Sequence, residues 1–487
     1  MTVEIELKLA LPAHAARRLR AHPLLKSAPV TRKVMYGLYF DTPELDLFRR
    51  KGAFRLRREG YHWVQTVKLD RGSVGGLSVR PEYEVAVAGN QPDFTVLPEA
   101  ARAALTPDIE ARLAPVFSTE FRRTAWLLEL ETGRVEVALD LGHIRAGDAD
   151  LPVSEVELEL LDGDGACLFD VARQLLVTVP LVPEYRSKAL RGYALLGAWQ
   201  ERPCKAMPVA VEPGLPAAEV WRLSFLAALA QFGHNLPGLL AQDDPEYLHQ
   251  TRVAVRRMRT LLSLGRGLEL AAPAWREALR GFMTVLSPAR DLDVLVTETL
   301  ARAAQGLPEP DRLAGLVARA EVARIRARRQ ARAAAGSTAL TALTLDMGAA
   351  LLDPRQGGPD ALGWARQALD RRWRTFRKLA KQFDALDAEG RHRLRLLAKR
   401  LRYTGELLAP LFGRRAERFL DQVAEAQDRL GVANDVAVAH RLLADLDRDG
   451  HMAYARGLVE GFIAAGAHVD QAAVPVRRVL RARPFWR

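Results

Sequence analysis

The sequence predicts an α+β protein of two domains, an N-terminal antiparallel β domain followed by an all-α domain. Apolar and polar residues alternate with period two over residues 1–197, whereas Ala, Leu and Arg recur at helical spacing beyond residue 217. Four prolines separate these two regions, at Pro203, Pro208, Pro213 and Pro216. The charge differs as well, because residues 1–200 contain 26 Lys and Arg against 27 Asp and Glu, while the rest contain 45 against 32.

These observations place the domains at residues 1–200 and 217–487, joined by a Pro-rich linker at 201–216. The excess of positive charge lies entirely in the second part, so an anionic partner is expected there. A length of 487 residues with 49% hydrophobic and 27% charged residues is typical of a globular protein with more than one core.

The composition also excludes several classes of protein. No stretch of about 18 uncharged apolar residues exists, so no membrane span is expected. The first residues lack the pattern of a secretory signal. Cys167 and Cys204 form neither a metal-ligand spacing nor a framework of disulfides. We therefore expect a reduced, cytoplasmic protein.

Six short segments of the N-terminal part alternate in polarity and are separated by turns, which is typical of an antiparallel sheet or barrel. They are residues 3–9, 53–59, 63–69, 82–87, 134–139 and 153–160. Charged residues of these segments fall on one face, because every second residue of a strand points the same way. The groups on one face are Glu4, Glu6 and Lys8; Arg55 and Arg57; Glu82 and Glu84; Glu136 and Asp140; and Glu155, Glu157 and Glu159.

A single strand of this kind is most simply explained by a sheet with one face in water. Five such strands favour a closed sheet with the ionic face inward, since neighbouring glutamates repel one another without a cation. Inward carboxylates are suitable ligands for hard divalent cations, and arginines bind phosphate oxygens. This combination is the one that phosphoryl transfer requires.

The run Glu4-Ile5-Glu6-Leu7-Lys8 resembles the ExExK signature of the CYTH family of triphosphate tunnel metalloenzymes. Further blocks follow in family order over residues 1–197, and they include Tyr39-Phe40-Asp41-Thr42, Phe54-Arg55-Leu56-Arg57, Phe121-Arg122-Arg123 and Arg186-Ser187-Lys188. The resemblance implies an eight-stranded antiparallel β tunnel that uses Mg²⁺ or Mn²⁺.

The resemblance also implies roles for individual residues. The metal side comprises Glu4, Glu6, Asp140, Glu155, Glu157 and Glu159, with Glu82 and Glu84 supporting it. The catalytic, triphosphate-binding side comprises Lys8, Arg55, Arg57, Lys68, Arg122 and Lys188. Which two of the three late glutamates contact the metal stays open, because all three share one face.

The implied reaction is metal-dependent hydrolysis of inorganic triphosphate to pyrophosphate and phosphate, by in-line attack of water on a terminal phosphorus. Thiamine triphosphate and nucleotides are alternative substrates, since other members of the family act on them. We favour the inorganic substrate because no base-recognition motif is evident.

The helical part contains an internal repeat, predicted at about 217–355 and 356–487. His249, Arg252, Arg256 and Arg259 recur 143 residues later as His392, Arg395, Lys399 and Arg402. Each set falls at i, i+3, i+7 and i+10 and so shares one helix face, with apolar residues opposite. After each set comes an Asp, Asp291 or Asp435, at nearly the same offset. Such a duplication predicts a helical bundle with a basic stripe in each half.

These motifs resemble the CHAD domain, and their order after the tunnel resembles a CYTH–CHAD fusion. The resemblance implies that the eight residues of the two stripes bind inorganic polyphosphate. A solvated basic face is the simpler explanation for one such helix, but the duplication and the charge favour an anion. Nucleic acid is less favoured, because few aromatic residues accompany the basic ones. The alternative for the whole chain is a non-catalytic protein that binds polyphosphate granules.

Overall fold

A computed structural model describes residues 2–69, 73–74, 77–102, 105–212, 214–270, 272–307, 309–466 and 472–487. The chain forms two compact units. The first, here called the tunnel unit, comprises Met1–Cys204, Gly233–Gln242 and Gly336–Asp353. The second, the helical unit, comprises Lys205–Phe232, Asp243–Ala335 and Pro354–Arg487.

The tunnel unit is built on one antiparallel sheet. Its strands are β1 (Thr2–Ala10), β2 (Val30–Asp41), β3 (Gly52–Glu59), β4 (His62–Leu69), β5 (Ser73–Val74), β6 (Leu77–Val87), β7 (Ala114–Leu130), β8 (Gly133–Ala146), β9 (Ala149–Gly163) and β10 (Val182–Pro183). Eight of them form a closed ring in the order β1, β9, β8, β7, β2, β3, β4, β6, and β6 pairs with β1 again. The predicted tunnel is confirmed, and the sheet contains two further strands of two residues each, β5 and β10.

The helices of the chain are α1 (Ala16–Arg20), α2 (Pro23–Lys26), α3 (Asp46–Arg49), α4 (Glu99–Arg102), α5 (Pro107–Arg112), α6 (Ala166–Leu176), α7 (Lys188–Leu195), α8 (Ala217–Ala241), α9 (Pro245–Gly265), α10 (Pro273–Val294), α11 (Ala301–Gly306), α12 (Ala314–Ala335), α13 (Thr338–Ala350), α14 (Ala361–Ala380), α15 (Ala388–Leu408), α16 (Glu417–Leu446), α17 (Ala453–Gly466) and α18 (Ala473–Arg481). A membrane-crossing helix needs about 18 residues with few charges. None of the helices in the described part of the chain meets that requirement.

The apolar faces of β1, β8 and β9 lie outside the ring, where α6 and α13 cover them. Leu345 of α13 is completely buried in this core. Gly348 lets α13 approach α6 closely, because an added Cβ would lie 2.6 Å from the ring of Phe169. The hydroxyl of Thr341 donates a hydrogen bond to the carbonyl of Leu181 at 2.8 Å. Thus α13 is part of the core of the tunnel unit.

The buried carboxylate of Asp41, at the end of β2, holds α7 against the segment that follows this strand. Asp41 is completely buried. It accepts hydrogen bonds from the amides of Thr42, Leu47 and Phe48 at 2.8–3.0 Å and from the hydroxyl of Tyr193 at 2.8 Å. Four donors around one buried carboxylate satisfy it without a metal. Asp41 therefore has a structural role.

The two basic stripes lie on α9 and α15, and each of these helices is preceded and followed by another helix. The predicted duplication stays a prediction. The apolar residues opposite the first stripe, Val255, Met258 and Leu262, are buried. In the second copy, Leu394 and Leu401 are buried as well. The two stripe helices, α9 and α15, contact each other within this unit. Their basic faces therefore come from both halves of the repeat.

Candidate functional site

Neighbouring strands bring charged side chains into rows on the inner face of the tunnel. In register, the rows are Glu6, Glu159 and Glu136; then Lys8, Glu157 and Ala138; then Ala10, Glu155, Asp140 and Arg123. Residues directly opposite in an antiparallel pair have Cβ atoms about 4.5–5.5 Å apart. The charges that share one parity in the sequence therefore face one another across strands.

Asp140, Glu155 and Glu157 form the tightest acidic group, with one oxygen of each within 4.8 Å of the others. Basic side chains already neutralise it. Lys188 of α7 donates to Asp140 at 2.6 Å and to Glu157 at 3.0 Å, and it also pairs with Glu155. Arg123 donates two hydrogen bonds to Asp140, at 2.8 and 2.7 Å.

These pairs govern the pKa values of the group. Burial opposes ionisation of Glu157, yet Lys188, Lys8 and Arg123 hold its pKa well below the usual range. Burial likewise opposes the charged form of Lys188, but the carboxylates of Asp140 and Glu155 raise its pKa. Glu157 and Lys188 are therefore both ionised at neutral pH.

Glu159, which lies in the row with Glu6 and Glu136, behaves in the opposite way. Burial and the nearby carboxylates of Glu4, Glu136 and Glu157 raise the pKa of Glu159 to about 7. Among the described residues, no basic side chain forms an ion pair with Glu159 or Glu136. Crowded carboxylates without a cationic partner cost stability unless a cation binds them.

Basic side chains line the inner face of β3 and β4. Arg57 pairs with Glu59 at 2.7 Å and with Glu84 at 3.2 Å, and Arg55 pairs with the same oxygen of Glu84 at 3.4 Å. Burial and the neighbouring Arg55 lower the pKa of Arg57. Two guanidinium groups held this closely around one carboxylate can accommodate a further anion.

Two lysines of the tunnel interior, Lys8 of β1 and Lys68 of β4, pair with carboxylates of β1 and β9. Lys68 donates to Glu4 at 3.2 Å, and Lys8 pairs with Glu6 at 3.4 Å and Glu157 at 3.2 Å. Burial opposes the charge on Lys8, but Glu6 and Glu157 raise its pKa. Both lysines are therefore cations beside carboxylates.

In the helical unit, the two stripe helices bring Arg252, Arg256, Arg395 and Lys399 together. Burial and the charges of Arg395 and Arg256 lower the pKa of Lys399 to about 8. The guanidinium of Arg256 lies 5.3 Å from the ring centroid of Tyr403. Positive groups from both halves therefore repel one another on this surface, here called the first basic cluster.

Comparison with known proteins agrees with both units. The sequence matches the family model described as "CYTH domain" over residues 2–193 and that described as "CHAD domain" over residues 224–444. The chain contains a CYTH domain and, after it, a CHAD domain. The predicted family resemblance and the α+β fold class are therefore confirmed.

Two similar proteins support this assignment. An "Inorganic triphosphatase" of Haemophilus influenzae is 35% identical over 205 residues, which is 41% of this chain and 56% of the relative. The aligned part thus spans little more than half of that relative's length. The crystal structure of the CHAD domain from the plant Ricinus communis is 28% identical, with a TM-score of 0.51. It covers 58% of this chain and 98% of that one.

The structure corrects one predicted position of the CYTH domain. Arg122 is exposed and pairs in register with Leu141, so it lies on the outer face of β7. Its neighbour Arg123 faces the interior and contacts Asp140 and Glu157. Strand alternation is the reason, because adjacent residues point to opposite faces. Arg123 takes the place of Arg122 in the candidate site.

The other predicted residues of the CYTH domain face the interior, apart from one that cannot be placed. The side chain of Glu82 lies outside the described part of the chain. Two further interior residues were not predicted as site residues, namely Glu136 and Arg191, which pairs with the buried Glu155. Glu136 carried a usable signal, since it shares the parity of Asp140 in β8.

The remaining stripe residues of the CHAD domain occupy unequal environments. His249 is partly buried, and its pKa is lowered by burial and by Arg290, Arg256 and Arg252, with Glu246 opposing. His392, its counterpart in the second copy, is exposed. Arg259 lies near Arg280 of α10, and Arg402 donates to Glu406 at 2.7 Å. Of the eight predicted residues, the four that lie closest together are therefore those of the first basic cluster, Arg252, Arg256, Arg395 and Lys399.

The residues of the CYTH domain fit a divalent cation. The donor set consists of carboxylate oxygens, which Mg²⁺ and Mn²⁺ prefer. The raised pKa of Glu159 marks its place beside Glu136 as the part of the row that lacks positive charge among the described residues. In contrast, a cation at Asp140 and Glu155 would have to displace Lys188 or Arg123.

Proposed function

We propose that the CYTH domain hydrolyses inorganic triphosphate to pyrophosphate and phosphate with Mg²⁺ or Mn²⁺, and that the CHAD domain binds polyphosphate. The observation that carries the first part is the division of the tunnel interior. Carboxylates of β1, β8 and β9 face one side, whereas Arg55 and Arg57 of β3 and Lys68 of β4 face the other. A triphosphate with its cation has the same division of charge.

The chain's own residues can hold the substrate in three ways. Arg55 and Arg57 offer guanidinium donors to phosphate oxygens. The Nε of Arg57 is a buried donor that has no hydrogen-bond partner among the described residues. Lys188 and Arg123 can turn from Asp140 towards the phosphate chain. Such exchange would free carboxylate oxygens of Asp140 and Glu157 while the substrate is bound.

The proposed cation site consists of Glu4, Glu6, Glu136 and Glu159. A bound Mg²⁺ or Mn²⁺ would neutralise the developing charge on the phosphoryl oxygens. The carboxylates of β1, β8 and β9 would fix its place. Arg55, Arg57 and Lys68, on the opposite side of the tunnel, would orient the phosphate chain. The resulting in-line geometry supplies most of the catalysis, since phosphoryl transfer depends on positioning and charge stabilisation.

The proposal for the CHAD domain rests on the first basic cluster. Four cationic groups from α9 and α15 stand together, and the pKa of Lys399 is depressed, so an anion would stabilise them. A linear polyanion suits a stripe along a helix better than a compact ligand. Few aromatic side chains accompany the cluster, so we propose polyphosphate rather than single-stranded nucleic acid.

Phosphate release from tripolyphosphate tests the enzymatic part. The wild-type protein should release phosphate only with Mg²⁺ or Mn²⁺, and Glu4→Ala/Glu6→Ala should abolish this release. The absence of metal-dependent release by the wild type would contradict the proposal. Thiamine triphosphate and ATP, assayed in parallel, report whether an organic triphosphate is preferred.

Competition at matched salt tests the ligand of the CHAD domain. Polyphosphate and single-stranded DNA with the same number of phosphates should be compared, because any polyanion shows salt dependence. Polyphosphate is expected to bind more tightly. Equal affinities would show that only general electrostatic attraction operates.

A further inference from the structure

The basic stripe of α9 continues beyond the repeated motif. Counting from Arg252, the same helix face carries Arg256, Arg259, Ser263 and Arg266, at steps of four, three, four and three residues. At about 1.5 Å per residue, the face from Arg252 to Arg266 is about 20 Å long. The repeat in α15 has no basic residue at the position equivalent to Arg266, since Ala409 stands there.

Three other arginines gather around the far end of this face. Arg371 and Arg372 come from α14 and Arg400 comes from α15. Arg372 is partly buried and donates a hydrogen bond to the hydroxyl of Ser263 at 2.9 Å. Burial and the charges of Arg400, Arg371 and Arg266 lower the pKa of Arg372. We call Arg266, Arg371, Arg372 and Arg400 the second basic cluster.

The described part of the chain provides no acidic partner for the second basic cluster. Within the described residues, none of its four arginines forms an ion pair. Elsewhere on α14 the pattern is different, since Asp370 pairs with Arg374 and Arg487. A cation at a helix C-terminus is favourable by itself, which accounts for Arg266 at the end of α9. That effect does not explain why three arginines from the middle of two other helices converge there.

A solvated basic surface would keep its guanidinium groups apart, because like charges at short range repel. Here three helices place four of them together, and one is more than half removed from water. The arrangement is stabilised when an anion lies among them, as in bidentate recognition of phosphate by arginine. Since the cluster lies on the α9 face that begins at Arg252, a long anion can extend from one cluster to the other.

We infer that the second basic cluster is an additional phosphate-binding subsite, which extends the surface for one polyphosphate chain to about 20 Å along α9, from Arg252 to Arg266. This inference rests on the proposed polyphosphate binding and adds a requirement for chain length. Long chains occupy the whole length from Arg252 to Arg266, whereas tripolyphosphate is too short to span it. Affinity should therefore rise with chain length by the gain from binding two linked sites.

Binding of long-chain polyphosphate and of tripolyphosphate to the full chain tests the inference. It is measured in EDTA with the tunnel variant Arg55→Ala/Arg57→Ala as the background, so that the tunnel neither hydrolyses nor retains tripolyphosphate. Arg371→Ala/Arg400→Ala should weaken long-chain binding about tenfold and lower the salt dependence of log K by about one to two units. Tripolyphosphate binding at the first cluster should change by less than about twofold. Both arginines are exposed, so the fold should be retained, and circular dichroism checks this point.

Arg377→Ala/Arg393→Ala is the matched control. It removes one exposed arginine from α14 and one from α15, and so the same charge, away from the second cluster. Equal loss of long-chain affinity in both double variants would overturn the inference, because only overall charge would then matter. An equal loss for long and short ligands would overturn it as well.

Arg252→Ala/Arg395→Ala separates this inference from the proposed function. That variant should weaken binding of both ligands. If it changes neither, the proposed location of polyphosphate binding fails. If it weakens both while Arg371→Ala/Arg400→Ala changes nothing, only the second subsite fails. A parallel titration with single-stranded DNA completes the set, and an equal dependence on the second cluster would contradict polyphosphate as its ligand.

Discussion

Glu159→Gln tests whether the acidic row of the CYTH domain requires a cation. Burial and the carboxylates of Glu4 and Glu136 raise the pKa of Glu159 from its ordinary 4.5 to about 7. With about 1.4 kcal/mol per pKa unit and a discount for partial exposure, the ionised carboxylate costs the metal-free protein about 1–3 kcal/mol at pH 8. Gln has nearly the same shape and no charge, so it removes this cost.

The assay measures hydrogen exchange of the backbone amides of β8 and β9 at pH 8 in EDTA, as a function of urea concentration. It gives the free energy of unfolding of this part of the sheet. Exchange is the suitable probe because a chain with two compact units need not unfold in one step. The variant should be more stable than the wild type by about 1–3 kcal/mol in EDTA. Saturating Mg²⁺ should stabilise the wild type and have little effect on the variant, since a ligand stabilises only a protein that binds it.

Glu157→Gln is the control with the opposite sign. Glu157 lies two residues away on the same face, and Lys188, Lys8 and Arg123 hold its pKa well below the usual range although burial opposes them. Loss of one partner from such a buried group destabilises by about 3–5 kcal/mol. If Glu159→Gln destabilises the protein in EDTA as Glu157→Gln does, Glu159 already has a cationic partner and the proposed cation site is wrong.

Three further predictions concern other parts of the molecule. Arg123→Ala should lower kcat/KM for tripolyphosphate about 10²-fold, whereas Arg122→Ala on the outer face should stay within about twofold, and steady-state kinetics checks both. Leu345→Ala should destabilise the tunnel unit by about 2–5 kcal/mol through a cavity in its core, measured as faster exchange of α6 and β9 amides with α9 as the unaffected reference. Polyphosphate affinity should fall as pH rises above about 8, because free Lys399, with its pKa lowered to about 8, must take up a proton to meet the anion. Lys399→Arg should abolish this fall, and an unchanged pH profile in that variant would contradict the role of Lys399.

Alternating polarity was sufficient to predict the strands of the CYTH domain and the face that carries its charges. It was sufficient because one face is apolar and buried, which fixes the parity of the whole strand. Arg122 was assigned to the interior because this parity argument was not applied to β7. Trp126 and Leu128 belong to the outer core and share the parity of Arg122, so the strand itself indicates that Arg123 points inward.

Sequence reasoning could not sort the six predicted metal ligands into two groups. All of them share one face, and the difference lies in their cationic neighbours. Lys188 reaches Asp140 from α7, a contact across 48 positions of sequence. Without the register of β8 against β9, no pattern indicates which carboxylates such a lysine neutralises.

The place of α13 could not be predicted either. Its sequence is apolar on nearly all sides, so no amphipathic face indicates what it packs against. The predicted boundaries at 200 and 217 stay a prediction, because they were based on composition along the chain. Composition contains no information on the contact of Leu345 and Gly348 with the core around α6.

The sites of the two domains have one physical property in common, since each concentrates charge of a single sign that the protein neutralises only in part. In the CYTH domain this raises the pKa of Glu159, and in the CHAD domain it lowers the pKa of Lys399. Both shifts reduce the stability of the unliganded protein. Between the pKa of each group in the unfolded chain and its pKa in the folded protein, the unfolded chain carries the charged form, which the folded protein disfavours. Ion pairs outside the proposed sites, such as those of the buried Asp293 with Arg324 and Arg328, show that the fold can provide counter-charges where no ligand is proposed. Unneutralised charge is therefore a better indication of where a cation or a polyanion binds than the abundance of charge alone.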